Sequence, residues 1–284
     1  MINNAAAMTR KRRPLKPGVA AKYAFLTLVA VVIAFPYVWM ILSSFREGSE
    51  IFIKGSWLPT TWRFANYVEA MQMAPFDRFF LNSVITSLLT VLAQLVTCPL
   101  AAFAFAKLEF KSKKLLFTLF LCTMMVPSES TIISNYLTMA ALSLTDTYFA
   151  IIAPSLTSMF AIFLLRQFYK SIPDALLEAA RIDGANTMQV FLRVVMPLSK
   201  NALATVTIFA FINSWNAYLW PTLVTTRTEM RTVQTGLRYM INPDLGNEWP
   251  KIMAASTVII LPILLLFICL QKYFVQGITK VGLK

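Results

Sequence analysis

The chain has 284 residues, 57% of them hydrophobic and only 14% charged, where a soluble domain carries roughly 25%. It has no histidine, which excludes imidazole catalysis and histidine metal sites, and Cys98, Cys122 and Cys269 lie far apart inside apolar runs, without zinc or disulfide spacing. The mean hydropathy of +0.63 reads as an integral membrane protein, and the formal charge of +13 is distributed as membrane topology and contact with lipid require, not as a nucleic-acid surface.

Residues 1–22 hold Arg10, Lys11, Arg12, Arg13, Lys16 and Lys22 and no acid, a basic tail suited to an anionic inner membrane face. The run 23–43 is long enough to span and ends in no small-residue cleavage site, so it reads as a first transmembrane helix kinked at Pro36. A polar outer loop, 44–78, leads to a second span at 79–106, after which Lys107, Lys111, Lys113 and Lys114 mark the return inside. The third span starts at Leu115. Its apolar run stops at Val126, too short to cross, so the span is extended past Pro127 to Tyr136, which puts Glu129 in the outer half of the membrane. Two placements of that carboxylate stand open, the bundle interior or the external helix end.

Residues 137–146 are expected outside, 148–165 as a fourth span with Arg166 and Lys170 inside, and 202–224 and 252–270 as the fifth and sixth. Residues 225–250 form an outer polar loop, and the chain divides into a tail 1–22, a membrane domain 23–271 and a tail 272–284. The fold class is therefore an all-α integral membrane protein with six transmembrane helices and both termini cytoplasmic. Of the 26 lysines and arginines, only Arg46, Lys54, Arg63, Arg78, Arg227, Arg231, Arg238 and Lys251 fall outside, as the positive-inside bias demands.

The loop 171–199 is the one extended polar segment with a helical pattern. Ser171 can cap a first helix with Pro173 in its first turn. Leu176, Leu177, Ala180 and Ile182 supply apolar contacts, among the charges Asp174, Glu178, Arg181 and Asp183. Gly184 suits the left-handed position that ends a helix, and Asn186 can cap a second one, with Gln189 returning the bond. Pro197 discourages continuation.

Glu178-Ala179-Ala180, then Gly184, then Val194-Val195-Met196-Pro197 resemble the loop signature of ABC importer permeases, Glu-Ala-Ala, three residues, Gly, nine residues, Ile-x-Leu-Pro. The run from Trp215 to Pro221 and the ending Phe274-Val275-Gln276-Gly277 are similar to the smaller permease subunit of the maltose-type carbohydrate branch. The resemblance implies the type I permease fold in a prokaryotic cytoplasmic membrane. It also implies a coupling helix at Glu178, Ala179, Ala180, Asp183 and Gly184 that docks on an ATPase, and a tail near the ATPase dimer interface. The implied partners are a homologous second permease, two ATPase subunits and an extracytoplasmic solute-binding protein. The chain would be no enzyme and hold no cofactor of its own, with ATP and Mg bound by the ATPase. Its own residues agree, since no Gly-x-x-x-x-Gly-Lys-Ser/Thr occurs in them.

Asn213 lies eleven residues beyond Ala202, about 16 Å along a helix and hence near the middle of a core about 30 Å thick. Asn213, Trp215 and Asn216 are thus candidates for a sugar path, amides bonding hydroxyls and the indole covering a ring face, with Trp220 extending the face outward. The competing reading is that these amides tie helix to helix. A glycerol-3-phosphate cargo is the alternative within the branch. A secondary transporter working alone is the alternative outside it, with Glu129 as its sole ionisable candidate.

Overall fold

The computed structural model describes residues 17–51, 57–241 and 246–281, and all regular structure among them is helical. The basic tail to residue 16 lies outside the described residues. Among the described residues three helices are individually long and apolar enough to cross a membrane: α1 (Pro17–Ser43), α3 (Phe76–Lys107) and α14 (Trp249–Val281). Between α1 and α3 sits the short α2 (Ala65–Gln72). The helix α14 does not stop at the membrane face expected near residue 270 but runs on through most of the presumed tail to Val281.

The remaining spans are broken, each at a proline. The third is not one helix: α4 (Lys113–Thr123) and α5 (Ser128–Ala141) meet at 93°. Pro127 forces its predecessor out of the helical region, and its ring would strike the Thr123 carbonyl in a continuous helix. Glu129 therefore stands exposed in the first turn of α5, which has no buried residue, rather than in a bundle interior. The fourth span is α6 (Tyr148–Ile152), a 3-10 turn (Ala153–Ser155) and α7 (Met159–Lys170), bent by 46°. Pro154 cannot donate to the Ala150 carbonyl, and the Trp220 indole takes up that acceptor at 3.0 Å.

The inner loop holds α8 (Asp174–Ile182), α9 (Thr187–Val190), a π turn (Phe191–Val195) and α10 (Met196–Leu198). After Leu198 the chain turns by 80° into α11 (Lys200–Trp215). The fifth span ends there, short of Val224: residues 216–218 interrupt it before α12 (Leu219–Val224). In an unbroken helix Pro221 would clash with the residue 217 carbonyl; the break places it in a first turn, where it costs little. The outer α13 (Val233–Tyr239) follows.

Helix α3 is the post against which α7 and α11 pack, and α14 packs in turn on α11. One side of it is a polar stripe at four-residue spacing, Asn82, Thr86, Thr90 and Gln94, all buried and continued by Cys98. Asn82 and Gln94 of that stripe, with Thr97 beside it, serve backbone carbonyls of other elements, while Thr86 donates within α3. Gln94 Nε2 donates to the Ser155 carbonyl at 2.9 Å and Thr97 Oγ1 to Leu156 at 3.0 Å. Asn82 Nδ2 donates to the Glu229 and Arg231 carbonyls and its Oδ1 accepts from the Tyr148 hydroxyl. Away from water a backbone carbonyl without a donor costs several kcal/mol, so breaks and stripe require each other.

Among the described residues three apolar clusters result, the smallest at Ala150, Ile151 and Val224 and two larger ones. The inner one joins Ala102, Phe103, Leu165, Leu177, Val190 and Val195, and the outer one Phe79, Phe211, Trp215, Val233 and Ile252. The outer segments 44–78 and 225–250 are more than loops. Asn66 Nδ2 ties the Ser44 and Arg46 carbonyls, Glu69 pairs with both Arg63 and Lys251, and α13 seats Gly236 against Phe79. A Cβ at Gly236 would overlap the Phe79 ring, which is 1% exposed. Gly236→Ala is expected to destabilise the outer cap by about 1–3 kcal/mol, read as a lowered detergent melting temperature. An unchanged value would mean the ring yields freely.

Candidate functional site

The site predicted on the inner loop is a helix-turn-helix hairpin. Ser171 does not cap α8: it closes α7, its hydroxyl donating to the Phe168 carbonyl at 2.7 Å, and α8 starts after extended Pro173 with no side-chain cap. Gly184 has φ +85°, its N–H donates to the Arg181 carbonyl and the Ala185 N–H reaches back to Ala180. This paired closure needs a left-handed residue at Gly184. Asn186 and Gln189 form the reciprocal capping box, both bonds at 2.9 Å. Pro197 does not stop the second helix directly. The π turn Phe191–Val195 lets it run to Leu198, and the 80° bend follows.

The apolar residues of α8 divide between two faces. Leu177 is 3% exposed and Ala180 and Ala185 pack with it on the inner core. Leu176 and Ile182 point away, Ile182 at 86% exposure, and Met188 of α9 is also exposed. The free face of the hairpin is thus apolar, with the small Ala179 exposed among larger side chains. Exposed Glu178 and Asp183 stand around it; Glu178 borders a cavity of about 300 Å³ shared with Lys107, Lys170, Asp174 and Arg181. The structure brings Glu178, Ala179, Ala180, Asp183 and Gly184 together, Ala180 facing inward and the others outward.

What anchors the hairpin is a residue that had served only as a topology marker. Lys107, at the end of α3, donates to the Ile172 carbonyl at 2.7 Å and pairs with Asp174 at 2.6 Å; its own side chain is 6% exposed. The hydrogen bond from Lys107, and then its charge, hold the Asp174 carboxyl below the usual carboxylate range. The tie is therefore complete above that range and is lost as pH falls through the depressed value. Lys107→Met is expected to lower transport per ATP hydrolysed at unchanged expression, because it frees the hairpin from α3. Asp174→Asn, which leaves the carbonyl bond in place, should be milder. Equal effects would place the importance in the ion pair alone. Sequence spacing could not reveal the tie, because its partners lie 67 residues apart.

The fifth-span candidates do not share one face. Asn213 and Asn216 are exposed, but Trp215 is 1% exposed. Its indole stacks on Phe211 and donates to the Ile259 carbonyl of α14 at 3.0 Å. Trp215 therefore ties α11 to α14. Trp220 does not extend the face either, since α11 ends before it and its indole is bonded to α6. Asn216 accepts from Gln234 of α13 at 3.2 Å. Just outside it, Tyr218, Thr222, Arg231, Thr235, Arg238 and Tyr239 line a cavity of about 340 Å³. Arg231 lies over the Tyr239 ring, 4.1 Å from its centre.

Comparison with known proteins places this architecture. A family profile described as "Binding-protein-dependent transport system inner membrane component" matches residues 98–280. The chain is 34% identical over 282 residues to an arabinooligosaccharides transport system permease protein, AraQ, of Halalkalibacterium halodurans, covering 98% of this chain and 100% of the relative. It is 32% identical over 262 residues to an sn-glycerol-3-phosphate transport system permease protein, UgpE, of Yersinia pestis, covering 89% and 93%. A crystal structure of a bacterial ABC transporter involved in the import of alginate contains a chain with the same fold (TM-score 0.79, 24% identity, 90% of this chain and 95% of that one).

Proposed function

The chain belongs to the inner-membrane components of binding-protein-dependent transport systems, and from that premise we propose that its cargo is a carbohydrate, a sugar or oligosaccharide. It is a multi-pass permease of the cytoplasmic membrane and one part of an ABC importer, not an enzyme. The remaining parts in this reading are a homologous second permease, two ATPase subunits that bind ATP and magnesium, and an extracytoplasmic solute-binding protein.

The observation that carries the coupling role is the hairpin's divided surface. Leu177 and Ala180 bind it to the bundle, while Leu176, Ile182 and Met188 are left uncovered beside Glu178 and Asp183. An amphipathic helix with a free apolar face fits a groove on a partner. Lys107 fastens the same helix to α3, so movement of a docked ATPase would pass to the central post of the bundle. The two ends of that path then bias one equilibrium between inward-open and outward-open states.

The likeness to arabinooligosaccharide and alginate transporters supports carbohydrate. A second reading, a phosphorylated polyol, is favoured by Arg231 and Arg238 in the outer cavity and by the likeness to UgpE. The test is ATPase activity of the reconstituted complex, with its binding protein, across a panel of neutral sugars, acidic sugars and glycerol phosphates. Stimulation by neutral sugars supports the first reading and stimulation by glycerol phosphate alone the second. Cargo uptake by the permease without any ATPase would overturn both.

A further inference from the structure

We propose that the cavity at the inner ends of α4 and α7 binds one anionic phospholipid, its phosphate held by Lys114, Arg166 and Lys170 and an acyl chain lying along α4. The cavity measures about 560 Å³ and is lined by Lys113, Lys114, Arg166, Lys170, Phe110 and Leu115 among others. Its one acid, Glu109, is 92% exposed on its side chain and pairs with Lys113 at 3.3 Å. Lys114, Arg166 and Lys170 form no ion pair with any described residue, and Lys170 feels the like charges of Arg166 and Lys113. Arg166 is already positioned: its Nε donates to the Phe105 carbonyl at 3.1 Å, and its guanidinium lies 3.9 Å from the centre of the Phe117 ring. Its remaining N–H groups are thus held in a fixed fork suited to phosphate.

Cations converging on a concave surface repel one another unless an anion joins them. Two observations single out a lipid as that anion. The segment lies at the inner membrane face, where anionic headgroups are concentrated. The cavity also opens beside an uncovered apolar flank: Leu115 is 61% exposed, and Leu119, one turn further along α4, is 55% exposed. A phosphate carrying an acyl chain satisfies both halves of this surface, whereas free phosphate satisfies only the charges.

The test uses the intact importer complex, delipidated in neutral detergent and then offered phosphatidylglycerol, phosphatidylcholine or inorganic phosphate. Native mass spectrometry reads what is retained. One phosphatidylglycerol per copy of this chain is expected, phosphatidylcholine should not be retained, and the Lys114→Gln/Lys170→Gln variant should retain roughly tenfold less. Should the double variant fail to assemble, Lys114→Gln alone, at an exposed position, should still lower retention. Equal retention in wild type and variants, or equal retention of the two lipids, overturns the proposal. So does occupation by inorganic phosphate with no lipid held, which would make this a free-phosphate site.

Discussion

Gly184→Pro is expected to abolish cargo uptake while the chain remains inserted and expressed. Gly184 sits at φ +85° and its N–H bonds the Arg181 carbonyl. Proline fixes φ near −65° and has no N–H, so both the turn and the closing bond are lost. Gly184→Ala separates the causes. No atom lies within 4 Å of a Cβ built there, so alanine meets only the left-handed penalty of about 1–2 kcal/mol. Partial uptake is expected for alanine and none for proline. Glu178→Lys should uncouple without disturbing the turn, because it reverses an exposed charge beside the docking face, and Ile182→Asp should do so by charging that face itself. ATPase activity that no longer responds to cargo, at normal complex yield, is the signature to measure. Normal uptake by Gly184→Pro and Glu178→Lys would remove the hairpin from the coupling path.

The second large effect separates packing from path within one helix. Trp215→Ala should destabilise the bundle by about 3–5 kcal/mol, since a fully buried indole, its stack on Phe211 and its bond to Ile259 all disappear. Asn216→Ala, one residue on, loses one exposed bond to Gln234 and should cost under ~1.5 kcal/mol. If Asn213 and Asn216 face the cargo, Asn216→Ala should instead alter which cargo is moved, with assembly intact. Single cysteines at 213 and 216 decide the matter. Labelling by a water-soluble reagent that changes with nucleotide state supports the path. Protection in every state, with selectivity unchanged in Asn216→Ala, leaves them as ties.

Composition, apolar runs and the lysine-arginine bias were enough to define a six-span helical membrane protein, because span length and loop charge are set by the bilayer and not by packing. The hairpin was equally legible, for its determinants are local: Gly184 for one backbone conformation, and Asn186 with Gln189 for one cap, three residues apart. Tertiary structure decided what depends on distant partners. Pro127, Pro154 and Pro221 were visible, but whether each bends a span or breaks it rests on who receives the freed carbonyls. Trp220 does so for Ala150, and Gln94 and Thr97 do so for Ser155 and Leu156. The stripe Asn82, Thr86, Thr90 and Gln94 was present as a four-residue spacing, yet only packing brought Gln94 to Ser155 and Asn82 to Glu229 and Arg231. Trp215 was a candidate for a path because depth in the membrane can be counted along a chain while facing cannot. Which side of α11 meets α14 is set by Phe211 and Ile259, and so an indole at the right depth became a buried tie.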